Sequence, residues 1–176
     1  AREAGLPILS PLKVNDDAFV DELRVFQPDV IVVVAYGQIL GRRLLALPPK
    51  GAVNVHASLL PKYRGAAPIQ WAVACGERVT GVTTMFMNEQ MDAGDIILQR
   101  EVPIDAADTA GTLHDRLADA GAGLLVETLE AIRENRAPRR AQNPAEATLA
   151  PKLRKVDGRI DWRWPADMIV NRVRGF

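Results

Sequence analysis

A continuous run of apolar residues from Val30 to Ala35 constrains the fold more than any other feature of this sequence. Pro28 comes just before the run, so a preceding helix must end there, and the β-branched residues of the run favour a strand. A strand without polar alternation is typical of a parallel sheet that helices cover on both faces. The run therefore predicts an α/β fold.

Helical and extended patterns alternate along the rest of the chain. We predict helices over residues 15–26, 42–47, 66–75, 109–133 and 164–173, and strands over residues 6–9, 30–35, 51–57, 82–87 and 96–102. The last two strands flank a turn rich in Asn, Asp and Gly, which is typical of a hairpin. The predicted fold is Rossmann-like: a mostly parallel sheet with flanking helices and an antiparallel hairpin at one side.

Composition argues against several classes of function. The 22 basic residues balance 22 acidic ones, which does not indicate a strongly basic nucleic-acid binder, although basic residues crowd the last third of the chain. The single cysteine, Cys75, rules out an internal disulfide and a multi-cysteine metal site. No apolar run approaches the roughly 20 residues of a membrane span. We therefore expect a cytoplasmic protein with no membrane contact and no metal.

Asn54 and His56 are the strongest candidates for catalysis. If residues 51–57 form a strand, both side chains leave the same face, because side chains alternate along a strand. An amide can donate to a developing oxyanion, and an imidazole can move a proton. A carboxylate such as Asp92 can orient the imidazole and stabilise its charged form.

An Asn-x-His pair on an apolar strand is more often structural than catalytic. Here, however, the strand leads directly into a loop stiffened by Pro61, Gly65 and Pro68. Polar groups at strand ends beside such loops are where α/β sheets bind ligands. The position of the pair therefore favours a functional role.

These residues resemble the folate-dependent formyltransferases. The resemblance is carried by Asn54-Val55-His56, Ser58-Leu59-Leu60-Pro61, Gly81-Val82-Thr83-Thr84-Met85 and Asp92-x-Gly94. Within this family, Arg64-Gly65-Ala66-Ala67-Pro68-Ile69-Gln70 and Gly158-Arg159-Ile160-Asp161-Trp162 are similar to the branch that acts on initiator tRNA. The resemblance covers nearly the whole chain.

The resemblance implies transfer of a formyl group from 10-formyltetrahydrofolate to the amino group of methionyl initiator tRNA. In that reaction Asn54 would donate to the negatively charged oxygen, His56 would stabilise that oxygen and help to move protons, and Asp92 would orient His56. Removal of one such oxyanion donor typically costs about 10² to 10³ in rate. The protein is expected to act as a monomer.

The resemblance also implies a folate site beside the sheet. Its predicted residues lie in three loops: Gln38, Ile39 and Leu40; Ser58, Leu59, Leu60 and Pro61; and Asn88 with Gln90. On sequence alone, ordinary core packing is the simpler interpretation of Ile39 and Leu40. For Ser58, the simpler interpretation is a hydroxyl that stabilises a turn.

The resemblance further divides the chain. Residues 1–134 would belong to the catalytic domain, with further strands expected before residue 1. Residues 135–176 would form a linker that leads to a C-terminal β-barrel. A fragment of this kind is expected to be of the α/β formyltransferase fold.

Four alternatives remain open at this point. In the first, the acceptor is an amino-sugar nucleotide, which would keep the same catalytic residues. The second is the purine-pathway transformylase, from which the sequence departs after Pro61 and in its Gly158–Trp162 segment. In the third, the chain binds folate without turnover. In the fourth, a hydrolase uses Ser58, His56 and Asp92, although the sequence has no Gly-x-Ser-x-Gly elbow. Arg64, in the loop after the strand, is a candidate contact for tRNA phosphate or for the folate tail.

Overall fold

A computed structural model of the protein describes residues 2–176. Its centre is a four-stranded sheet in the order β1-β2-β3-β4. The strands are Ile31–Val34 (β1), Ala52–His56 (β2), Val79–Phe86 (β3) and Ile96–Pro103 (β4). β1 pairs with β2 in parallel, whereas β2 with β3 and β3 with β4 are antiparallel.

The α/β class, the flanking helices and the antiparallel hairpin of β3 and β4 are confirmed. The sheet was expected to be mostly parallel, whereas one of the three described strand pairs is parallel and two are antiparallel. β3 is buried along nearly its whole length although both of its neighbours are antiparallel. β1, which the continuous apolar run forms, is only partly buried in the described structure, and its Val34 is exposed. The run therefore predicted a strand, but neither its burial on both faces nor the direction of its neighbours.

Residues 2–176 contain five α-helices: Asp17–Val25 (α1), Arg42–Leu45 (α2), Pro68–Ala74 (α3), Ala110–Arg133 (α4) and Ala166–Gly175 (α5). All five match predicted helices within a few residues. The strand predicted over residues 6–9 is wrong, because these residues lie outside the sheet. Pro7 has no N–H to donate there, and Leu6 and Ile8 are exposed.

α4 covers one face of the sheet. Its residues Leu113, Leu117 and Leu124 are buried in one cluster with Val73 and Val82. The helix begins with a capping box in which Thr109 accepts from the Thr112 N–H at 3.2 Å and the Thr112 hydroxyl accepts from the Thr109 N–H at 3.0 Å. This face is therefore a closed hydrophobic core.

The opposite face is covered in separate pieces. Near β1, Val20 of α1 and Leu44 of α2 pack with Val14 and Leu40. Farther along the sheet, Leu60 packs on Met85 and Ile96. The side chains of Asn54 and His56 leave the sheet on this same face, between the two clusters.

None of the described helices is long and apolar enough to cross a membrane.

Candidate active site

The strand β2 presents Asn54 and His56 on one face, as the sequence predicted. In the register of the sheet, Asn54 lies opposite Met85 and His56 lies opposite Thr83 on β3. Val55 lies between them and packs against the core under α4. The period-two alternation of a strand therefore separates the face that carries the candidate site from a core face.

Asp92 reaches the same place from the turn between β3 and β4. Its Oδ1 lies 3.4 Å from Asn54 Nδ2 and 3.7 Å from His56 Nδ1. The His56 side chain is only 7% exposed and that of Asp92 12%. The structure thus brings together the three predicted catalytic side chains in a nearly enclosed place, where electrostatic interactions are strong.

A backbone carbonyl holds the other side of the imidazole. His56 Nε2 lies 2.9 Å from the carbonyl oxygen of Tyr63. Because a carbonyl oxygen only accepts, this bond assigns a proton to Nε2. Nδ1 is then the nitrogen that faces Asn54 and Asp92, and it is free to take up a proton during a reaction.

Two residues of the site have left-handed backbone conformations. Tyr63 has φ +60° and Asp92 has φ +50°. Residues other than glycine rarely adopt such angles, and they cluster at functional sites where the surroundings hold them in place. For Asp92, the Gly65 N–H donates to Oδ2 at 2.8 Å. One carboxylate oxygen is thereby anchored, and the other is left for His56 and Asn54.

The turn Ser58-Leu59-Leu60-Pro61 is attached to the sheet by hydrogen bonds. The Thr83 hydroxyl donates to the Ser58 carbonyl at 2.6 Å and accepts from the Leu60 N–H at 3.1 Å. Ser58 is fully buried, and its hydroxyl donates to the Lys62 carbonyl at 2.6 Å. The hydroxyl is thus committed to the turn and does not face His56, which argues against the hydrolase.

The three predicted folate residues of the first loop lie in different surroundings. Leu40 is buried in the core with Val14 and Leu44, so core packing explains it. The Gln38 side chain accepts from the Val14 N–H at 3.1 Å. Ile39 is 71% exposed and is therefore available to a ligand. Folate contact by this loop stays a prediction.

Asn88 and Gln90 lie in the exposed loop after β3. The Gln90 N–H donates to Asn88 Oδ1 at 2.9 Å, which forms an Asx turn. Asn88 also lines an open cavity of about 250 Å³ between this loop and α2, with Arg42, Leu45, Ala46, Met87 and Glu89. The loop is therefore placed beside a cavity with both apolar and polar walls.

Three residues that contact the catalytic side chains or their loop were missed in the sequence: Tyr63, Gly65 and Gln142. Tyr63 contributes a backbone carbonyl and Gly65 a backbone N–H, and nearly every residue possesses these groups. The Gln142 side chain donates to the carbonyl oxygen of Asp92 from far along the chain. No local sequence signal identifies such contacts.

Arg64 and two basic residues of the last third of the chain are used within the fold. Arg64 donates to Gln142 Oε1 through Nε and Nη2, and its contact with tRNA phosphate or the folate tail stays a prediction. The Arg139 guanidinium lies 3.7 Å from the centre of the Phe86 ring, and Arg140 contacts Gln99. Among residues 2–176, no group of His, Cys, Asp and Glu side chains is suited to hold a metal ion.

Comparison with known proteins identifies the site's relatives. Residues 3–129 match the model of a family described as formyl transferase. Methionyl-tRNA formyltransferase of Moorella thermoacetica is 56% identical over 175 residues, which are 99% of this chain and 56% of the relative. The chain thus spans about half the length of the curated relatives it matches.

Solved structures share the fold. A sugar N-formyltransferase from Shewanella sp. has a TM-score of 0.82 at 20% identity, over 99% of this chain and 69% of that chain. An N-formyltransferase from Helicobacter canadensis, solved with folinic acid and dTDP-3-aminofucose, has a TM-score of 0.72 at 24% identity, over 80% of this chain and 52% of that chain. At these identities the likeness concerns the fold alone.

Proposed function

The chain belongs to the formyl transferase family, and from this premise we propose that it carries the site that transfers a formyl group from 10-formyltetrahydrofolate to the amino group of methionyl initiator tRNA. The observation that carries the proposal is the convergence of Asn54 Nδ2 and His56 Nδ1 on one oxygen of Asp92, at 3.4 and 3.7 Å. Both distances are too long for strong hydrogen bonds, so neither side chain is locked onto Asp92.

The chemistry follows from these three groups. The folate supplies a formyl carbonyl. Asn54 donates a hydrogen bond to the oxygen of that carbonyl as negative charge develops there, and the enclosed site strengthens this interaction. His56 takes up the proton that the attacking amine loses, at Nδ1, while Nε2 stays bonded to the Tyr63 carbonyl. The Asp92 carboxylate stabilises the charged ring, and the proton leaves again to the departing nitrogen.

The folate is expected to lie along the loops that border the site. Ile39 is exposed, and Asn88 lines the cavity between α2 and the loop after β3. Apolar walls with a few polar groups suit a flat heteroaromatic ring with donors and acceptors at its edge. The same fold holds folinic acid in the Helicobacter canadensis protein. The Ser58 hydroxyl holds the Lys62 carbonyl, and contact of the turn from Ser58 to Pro61 with folate stays a prediction.

The acceptor is the finer part of the proposal. Methionyl initiator tRNA is supported by the relative from Moorella thermoacetica, which is 56% identical to this chain. An amino-sugar nucleotide is the alternative. Its support is the fold of sugar formyltransferases that are far less similar in sequence, at 20% and 24% identity. We also propose that the protein is cytoplasmic, because the reaction serves translation initiation, and that it acts as a monomer.

The experiment is formylation by the full-length protein, with 10-formyltetrahydrofolate and methionyl initiator tRNA. Wild type is compared with His56→Ala and His56→Gln, and His114→Gln is the control because His114 is exposed and contacts only Asp115 among the described residues. We expect both His56 variants to lose roughly 10² to 10⁴ of the rate and the control to keep it.

Two other outcomes would contradict the proposal. Formylation of an amino-sugar nucleotide in place of tRNA would keep the catalytic residues and change the acceptor. If the full-length, folded protein binds folate but transfers no formyl group, its function is folate binding alone.

A further inference from the structure

A segment that follows α4 closes over the catalytic loops. We call residues 137–151 the strap. Arg140 pairs with Ile96 at the start of β4, and Leu149 forms a bridge with Arg64 in the loop after β2. The strap lies beyond residue 129, where the match to the family model ends. It connects the two loops that carry Tyr63, Gly65 and Asp92.

Gln142 is the residue of the strap that reaches the site. Its Oε1 accepts from Arg64 Nε at 3.1 Å and from Nη2 at 2.7 Å. Its Nε2 donates to the carbonyl oxygens of Asp92 at 2.9 Å and of Gly94 at 2.8 Å. An amide group has two donor hydrogens and two acceptor lone pairs, so these four bonds use its full capacity. A side chain bonded in this way has one defined position.

These bonds close a ring around Asp92. Gln142 holds the backbone carbonyl of Asp92, and the Gly65 N–H holds its carboxylate. Arg64, the neighbour of Gly65, donates to Gln142 and completes the ring. Asp92 has φ +50°, a conformation that needs support from its surroundings. With its backbone and one carboxylate oxygen both held, the direction of its other oxygen toward His56 is determined.

We propose that Gln142 is a positioning residue for formyl transfer, which sets the Asp92 carboxylate against His56 and Asn54 from outside the region that the family model matches. The inference rests on the proposed function for its kinetic consequence. Its structural part, the control of Asp92, does not depend on which acceptor is used. Displacement of a catalytic group by about 1 Å can cost roughly 10² in rate.

Gln142→Glu removes the donor group of the amide and keeps the acceptor group. A glutamate still accepts from Arg64, but it has no N–H to donate to the carbonyls of Asp92 and Gly94. Gln142→Asn keeps both chemical groups on a side chain that is too short to reach both loops, and it serves if the glutamate variant does not fold. Asn143→Ala is the control, because the Asn143 side chain bonds only Glu146 and Ala145 among the described residues.

The test has two readouts on the full-length protein. The first is the nitrogen chemical shifts of the His56 ring. These signals are assigned by their absence in His56→Ala, and they are compared with the His56 signals of Asp92→Asn. The second is kcat for formylation, with the stoichiometry of tetrahydrofolate binding as a count of intact sites. We expect Gln142→Glu to move the His56 signals as Asp92→Asn does and to lower kcat about 10- to 10²-fold at full stoichiometry. Asn143→Ala should change neither.

His56 signals that stay at their wild-type values in Gln142→Glu and Gln142→Asn would overturn the positioning role, whatever the activity. If wild type formylates no acceptor, the proposed function fails, and the His56 signals still decide the role of Gln142. The two failures are therefore distinguishable.

Discussion

The Nδ1 atom of His56 lies 3.7 Å from Oδ1 of Asp92. This separation is longer than a hydrogen bond and is that of a loose ion pair when the ring is protonated. The two residues are far apart in the sequence, at the end of β2 and in the turn between β3 and β4. Their approach depends on two backbone contacts, from Nε2 of His56 to the Tyr63 carbonyl and from the Gly65 N–H to the other oxygen of Asp92.

Asn54→Ala is expected to lower the formylation rate by about 10² to 10³, because the variant lacks the amide that donates to the developing oxyanion. Its affinity for tetrahydrofolate should stay near that of wild type, since Asn54 faces Asp92 and not the loops of the predicted folate site. Single-turnover kinetics and equilibrium binding measure the two quantities. A loss of rate of only a few fold would contradict the role of Asn54.

Ser58→Ala is expected to reduce stability and to leave the rate within a few fold of wild type. The buried hydroxyl donates to the Lys62 carbonyl at 2.6 Å, and loss of such a bond costs about 1 to 2 kcal/mol. Ser10→Ala is the matched control, because Ser10 is exposed. Urea unfolding and the formylation assay give both values. A loss of formylation as large as that of His56→Ala, in a folded variant, would contradict a purely structural role of the Ser58 hydroxyl.

The free energy of unfolding is expected to fall at alkaline pH in a way that depends on Tyr63. Burial raises the pKa of the Tyr63 phenol, and its hydrogen bond to Glu77 at 2.8 Å raises it further. A raised pKa in the folded state means that the native protein holds this proton more tightly than the unfolded chain does. Its stabilising effect is complete below the ordinary tyrosine pKa of about 10 and declines as the pH rises above it.

The measurement is urea unfolding between about pH 9 and pH 11. Tyr63→Phe should be less stable than wild type at the lower pH and should lose less stability on going to the higher pH. Tyr36→Phe controls for the removal of a tyrosine hydroxyl, because Tyr36 is exposed. Parallel pH dependences for wild type and Tyr63→Phe would contradict the prediction.

Gly65→Ala is expected to impair both folding and catalysis. A Cβ atom at this position would lie 2.6 Å from the carbonyl oxygen of Ala150, and φ is +121°, which side chains rarely allow. The strain is expected to cost about 1 to 3 kcal/mol and to move the N–H that holds Asp92. In Gly158→Ala a Cβ atom would meet nothing within 4 Å, so its stability should stay within about 0.5 kcal/mol of wild type. Thermal unfolding and kcat distinguish the two variants, and equal behaviour would count against the clash.

Prediction from sequence was most successful for features that repeat locally. The helix predicted over residues 109–133 is observed as Ala110–Arg133, because its apolar spacing and its Thr109 cap are properties of neighbouring residues. It failed for residues 6–9, where a short apolar segment resembles a strand but lies outside the sheet. Leu40 lies in a core cluster, which the sequence did not distinguish from a position in a ligand loop, and its contact with folate stays a prediction.

The sequence by itself determined the α/β pattern, the shared face of Asn54 and His56, and the family to which the chain belongs. These properties follow from the period of a strand and from the residues of short motifs. Only the tertiary structure decided that the Tyr63 carbonyl holds His56, that the Gly65 N–H holds Asp92, and that Gln142 encloses the loop. Two of these contacts come from backbone groups that nearly every residue possesses, and the third spans 50 residues. Which groups become partners is decided by the path of the whole chain, because the paired residues are not neighbours in the sequence.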